Sequence, residues 1–146
     1  MKIKLIIAVI IPLLFMSCDI FDKGDVEKVY DGPPVVEFIP LEQERSLADD
    51  EAIVKVQLIG EQRDAALPVN FSVSGESTAQ AGVHYNLVSA SPVTIQAGTS
   101  AVDVVIELVA GSLADGEEVL LILNLEGGDG VEASENLAKA NVFIRG

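Results

Sequence analysis

Between residues 35 and 145 the apolar side chains recur at every second position. That period produces strands with one buried and one wet face, and it argues against amphipathic helices, whose period is 3.6. Ala52, Val54, Val56 and Leu58 alternate with Ile53, Lys55, Gln57 and Ile59, and Leu67, Val69, Phe71 and Val73 alternate with Pro68, Asn70, Ser72 and Ser74. Val102, Val104, Ile106 and Leu108 form a third such set, Val119, Leu121, Leu123 and Leu125 a fourth, and Ala138, Ala140, Val142 and Ile144 a fifth. Shorter apolar pieces lie at 35–39, at Tyr85 and Leu87, and at Val93 and Ile95. Gly60, Gly75, Gly82, Gly98, Gly111, Gly116 and the stretch Gly127-Gly128-Asp129-Gly130 punctuate these runs as turns. Seven or eight short strands between Gly-rich turns predict an all-β sandwich.

Two runs, Val102 to Ile106 and Val119 to Leu125, are apolar on both faces. They read as central strands whose outer faces are partly covered, the alternative being an exposed patch for a partner.

The N-terminus has a different character. Met1-Lys2-Ile3-Lys4 is followed by an uncharged run from Leu5 to Met16 and then by Ser17-Cys18. A basic start, a 12-residue apolar stretch and a small residue at its end describe an export signal. The stretch is short of the roughly 20 residues a bilayer-spanning helix needs, and Pro12 interrupts it. Leu14-Phe15-Met16-Ser17-Cys18 resembles the lipobox of bacterial lipoproteins, with Ser17 as the small residue before the cut. That resemblance implies diacylglycerol on the Cys18 thiol, cleavage before Cys18 and acylation of the new amine, for instance by palmitate. One acyl chain binds a membrane only marginally, whereas several give lasting attachment. Cys18 is the sole cysteine, so the mature chain would hold neither a free thiol nor a disulfide.

The expected organisation is a signal peptide over 1–17, a lipidated cysteine and flexible tether over 18–33, and one sandwich domain over 34–146. The tether is polar and ends in Pro33-Pro34. Its acids Asp19, Asp22, Asp25 and Glu27 are similar to signals that send some lipoproteins to the cell surface. Outer-membrane attachment, on the periplasmic or the exposed side, is the expected location. Removing the signal also removes Lys2 and Lys4, leaving 7 basic residues against 23 acidic ones, a formal charge of −16. No basic cluster remains to neutralise phosphates, so nucleic acid is not an expected partner. The membrane would be reached through the lipid alone.

Within the domain, Thr78-Ala79-Gln80-Ala81-Gly82 and Tyr85 resemble the "T-A-x-A-G-x-D-Y" motif of the Calx-beta family. Val93-Thr94-Ile95-Gln96-Ala97-Gly98 is similar to its "V-x-F-x-x-G", and Val104 to Leu108 to its "I-x-I" strand. Asp115 to Leu123 follows "D-E-x-F-x-V-x-L", and Ala140 to Ile144 the closing strand. These pieces keep the family's order across residues 35–146. The resemblance implies an immunoglobulin-like β-sandwich of about seven strands, used in adhesion, matrix or binding modules.

It also implies where calcium would sit. Calcium takes six to eight oxygens at 2.3–2.6 Å, and calcium-binding members of the family gather carboxylates at one end of the sandwich. Here Ile39 follows Phe38 and Glu37 precedes it, His84 replaces the "D-Y" aspartate, and Ala110 to Ala114 carries no acid. Arg145 and Gly146 stand where the family has a run of Asp. Glu37, Asp115 and Glu117 remain as weak calcium candidates, and the family's metal site is expected to be absent or very weak. Asp49-Asp50-Glu51 and Asp129, Glu132 and Glu135 read as solvated loops.

Catalysis needs a nucleophile with a base, a tuned acid–base pair or an open metal site. The single histidine, His84, falls in a turn, and no phosphate-cradling Gly loop precedes a helix. The expectation is a non-catalytic, lipid-anchored binding or accessory module of the cell envelope without a cofactor, contacting a protein or glycan. With no Trp and two Tyr, protein contact is favoured over sugar stacking. The alternatives are a structural spacer or adhesin subunit that pairs by a strand edge, and a calcium-dependent adhesion module.

Overall fold

Each alternating run becomes a strand whose apolar members turn the same way. The computed structural model describes residues 30–146. Its strands are β1 (Val35–Ile39), β2 (Glu42–Ser46), β3 (Glu51–Ile59), β4 (Leu67–Val73), β5 (Tyr85–Leu87), β6 (Val93–Ile95), β7 (Ala101–Leu108), β8 (Glu118–Gly127), β9 (Glu132–Ala133) and β10 (Lys139–Arg145). They form two five-stranded sheets, ordered β5-β7-β3-β1-β9 and β2-β10-β8-β4-β6. The expected all-β sandwich is therefore the fold of the chain, with ten strands where seven or eight were expected: the eight apolar runs and two more. The expected signal segment, the expected lipidation at Cys18 and the expected tether up to residue 29 lie outside the described residues.

The two additional strands have no apolar alternation to announce them. β2 reads Glu-Gln-Glu-Arg-Ser and pairs in parallel with β10, from Asn141↔Glu42 to Arg145↔Ser46. β9 contributes two residues, parallel to Val35 and Val36. β1 runs antiparallel to β3 as far as Ile39↔Lys55. The chain then leaves that sheet at Pro40 and joins the other as β2.

The core lies between the sheets. Val36, Phe38, Val54, Val56, Val69, Val104, Ile106, Leu121, Leu123, Val142 and Ile144 are each at most 1% exposed. At about 25 cal/mol per Å² of apolar surface removed from water, these inward faces are the main source of stability. Among the described residues no charged side chain is buried in this core.

After β4 ends, the chain keeps contact with β8 through hydroxyls. The Ile122 N–H donates to Ser77 Oγ at 2.9 Å, and the Leu120 N–H donates to Thr78 Oγ1 at 2.8 Å. At Gly127 the backbone turns with φ +79°, where a Cβ would run into the Val131 carbonyl. Glycine is the residue that takes this conformation without strain.

The sandwich has two distinct ends. At one end, the side of the expected tether, Arg63 holds Asp129 at 2.8 Å, the Gly98 N–H donates to the Arg63 carbonyl at 2.9 Å, and Tyr30 to Pro34 lie beside Gly60. At the far end are the 3₁₀ turn Leu47–Asp49, the loop from Val109 to Glu117, and Gly146. There the Leu108 N–H donates to the Asp50 carbonyl at 2.8 Å and the Gly146 N–H to the Glu117 carbonyl at 2.9 Å. All four outermost strands are poor templates for further pairing. β5 and β6 have three residues and β9 two, while β2 carries Glu42, Glu44 and Arg45.

Candidate functional site

The far end is where the motifs place a metal, and its side chains are largely occupied by the loops themselves. The Asp49 carboxylate accepts the Ser46 N–H at 2.9 Å while Ser46 Oγ accepts the Ala48 N–H at 3.2 Å, a reciprocal cap on the 3₁₀ turn. Glu117 Oε2 accepts the Ala114 N–H at 2.9 Å, closing the loop before β8. His84 is half-buried, and its Nδ1 accepts the Gln80 N–H at 2.9 Å, while its carbonyl accepts the Val109 N–H at 3.0 Å. The histidine thus holds the turn ahead of β5 in shape.

Asp115 and Glu117 share the exposed loop before β8, but Glu37 does not join them. Glu37 pairs with Gln57 toward the opposite end of β3, six residues along the strand from Glu51. At a rise of about 3.3 Å per residue that separation is roughly 20 Å. Two exposed carboxylates cannot provide the six to eight oxygens calcium takes. Among the described residues no group of three or more His, Cys, Asp or Glu converges in a way that could hold a metal ion.

Among the described residues four of the five Lys and Arg side chains pair with the sandwich's own carboxylates. Lys55 pairs with Asp103 at 2.8 Å, Arg63 with Asp129 at 2.8 Å and Lys139 with Glu76 at 3.1 Å. Arg145 holds Glu44 at 2.7 Å and Glu118 at 2.6 Å, and these carboxylates raise its already high pKa. Arg45 instead donates from Nε to Gln43 at 2.9 Å. What the surface offers a partner is carboxylate in excess.

The two doubly apolar runs behave differently. β8 is the middle strand of its sheet, and its outward Ile122 is 6% exposed although it lies outside the core cluster. β7 is also interior, but its outward Val105 is half-buried and has exposed apolar neighbours. The sequence read Val102 to Ile106 as doubly apolar without showing which residues of other strands would stand beside Val105. That neighbourhood depends on register, and it is the surface feature sequence reasoning missed.

This is an immunoglobulin-like sandwich in which the first strand crosses to the second sheet at Pro40. The fold is that of the Calx-beta domains. The apo-form Calx CBD1 domain superposes with a TM-score of 0.64 at 19% identity, covering 78% of this chain and 97% of that domain. The Calx CBD2 domain gives 0.62 at 14% identity, covering 76% of this chain and 85% of that one. A candidate carbohydrate-binding protein from Bacteroides ovatus gives 0.58 at 17% identity over 76% of this chain, which spans 36% of that longer protein. No family model matches the sequence, and no curated protein matches it either. The likeness is one of fold.

Proposed function

We propose that the chain is a non-catalytic, lipid-anchored binding or accessory module of the outer membrane, and that its ligand is a protein. The observation that carries this reading is the placement of the tether. Tyr30 to Pro34 approach the sandwich beside Gly60 and Arg63, and no described residue covers the opposite loops or the outward apolar side chains of the β5-β7-β3-β1-β9 sheet, which stay open to a partner. An acylated Cys18 some 16 residues upstream of Pro34 would hold the domain within about 55 Å of the bilayer if the tether were extended.

Sandwiches of this fold include calcium-binding and candidate carbohydrate-binding proteins, which supports a binding role of some kind. Protein is favoured over sugar because the one exposed aromatic among the described residues is Tyr30. It stands at the tether end, with its hydroxyl donating to the Pro33 carbonyl at 2.8 Å. Pairing by a strand edge is disfavoured by the short or charged outermost strands.

The test compares the wild-type chain with Cys18→Ala in the native host. The wild type should incorporate labelled palmitate, sediment with membranes and give a discrete higher-mass adduct on cross-linking in intact cells. Cys18→Ala should lose label and sedimentation. Label retained by the variant would sink the lipoprotein reading, and a wild type that never forms an adduct would sink the binding role.

A further inference from the structure

The outer face of the β5-β7-β3-β1-β9 sheet carries apolar side chains that no described residue covers. Val105 of β7 stands directly opposite Ile53 of β3. Val88, just past β5, donates its N–H to the Val105 carbonyl at 3.0 Å. Alternation turns these residues outward, since Val54, Val104 and Ile106 beside them are fully buried. Ile39 lies one diagonal step from Ile53, opposite Lys55. Val88 is 63% exposed, Ile39 42% and Ile53 37%. Opposite side chains in a sheet stand about 5 Å apart and diagonal ones about 7–8 Å, so the four residues form a stripe running across the strands.

The stripe has a charged wall. Val88 and Val105 share one open groove with Asp49, Asp50, Glu51 and Glu107, and no cation lines it. Glu51 and Glu107 face each other directly in the β3–β7 register. Like charges in that position destabilise a sheet, and the hydrogen bond Glu107 accepts is from the neutral Asn86 amide at 3.0 Å. On the stripe's other side Lys55 is already held by Asp103.

We propose that this stripe and groove are a docking surface for a cationic segment of a partner protein, one in which Arg or Lys alternates with aliphatic residues. This rests on the binding role proposed above and names its face and partner chemistry. Charge complementarity selects the occupant. A second copy of this acidic chain would bring carboxylates against carboxylates. A bare cation would leave Val88, Ile53 and Ile39 in water, and a neutral apolar segment would bury the Glu51–Glu107 repulsion. An Arg- or Lys-bearing aliphatic segment covers the stripe and neutralises the wall together.

The full-length protein in detergent micelles would be titrated with a fluorescent peptide of alternating arginine and leucine, read by anisotropy. Two control peptides replace arginine by glutamate, or leucine by serine. The arginine–leucine peptide should bind at least about tenfold more tightly than either control. Val88→Ser with Ile53→Ser, both exposed positions, should weaken it about tenfold, as should Glu51→Gln with Glu107→Gln. Glu42→Gln with Glu126→Gln, on the other sheet, should change affinity less than about twofold. Melting temperatures confirm that each variant is folded. If the arginine–leucine peptide fails to bind, or the serine control binds equally well and the Glu42/Glu126 pair matters as much, the docking surface is refuted. A photo-cross-linker placed at Val88 or at Phe143 in intact cells separates this failure from failure of the binding role. Adducts from Phe143 alone would overturn the face assigned here and leave the binding role standing, whereas adducts from neither position would overturn both.

Discussion

Leu123→Ala tests the inside of the sandwich at its most constrained point. Leu123 is fully buried in β8, the middle strand of its sheet, with Ala140 opposite it on β10 and Val73 opposite it on β4. The substitution removes a methine and two methyls, and at about 0.8 kcal/mol for each buried carbon the lost transfer energy is about 2.4 kcal/mol. Ladders on both sides of β8 keep the cavity walls from closing. A residual void of roughly 50–80 Å³ at about 24 cal/mol per Å³ adds about 1–2 kcal/mol. The expected loss is therefore about 3.5–4.5 kcal/mol, a large part of the 5–15 kcal/mol typical of a domain. Urea unfolding of the full chain would show it as a lowered midpoint at unchanged slope. A loss below about 1 kcal/mol would refute the assignment of inward and outward faces on β8.

Three further outcomes are expected. Ser77→Ala should cost about 1–3 kcal/mol, because the shielded Ile122 N–H loses its acceptor; hydrogen exchange at Ile122 should rise with it, and unchanged exchange would contradict the pairing. Burial raises the Tyr85 phenol above 10.0, so the folded state holds that proton more tightly than the unfolded chain does. The corresponding stability is intact below pH 10.0 and is lost as pH rises through the folded value. Tyr85→Phe should then flatten the alkaline decline in denaturation midpoint, and parallel curves for the two proteins would rule the effect out. Millimolar calcium should move the melting temperature by less than about 1 °C, since a ligand stabilises only as far as it binds the folded state; a rise of several degrees would mean that Asp115 and Glu117 find partners from elsewhere.

Strands with an inward apolar set were readable in the sequence because burial on one face leaves a period of two. β3, β4, β7, β8 and β10 announce themselves this way, and so does the shorter β6. β2 could not, since Gln43 and Arg45 are its inward, half-buried residues and its place is set by backbone pairing with β10. β9 is too short to carry any pattern. The Calx-beta motifs around Gly82, Gly98 and Asp115 marked the right fold because they encode turns, and turn chemistry is local. The docking stripe was half legible. Val105 stood out as an apolar residue on the wrong face, but Val88 and Ile39 join it only through the register of four strands. Register is non-local, and no short window of sequence contains it.

The short or charged outermost strands have a consequence under the anchoring proposed above. Molecules tied to a plane collide side-on far more often than the same number in solution, and for sandwiches a side-on collision brings sheet margins together. A long, uncharged margin would let neighbours zip into a ribbon. Here each margin offers two or three residues, or a row of glutamates at β2. If the proposed anchor holds them at a membrane, the molecules can crowd there and still move past one another as separate units.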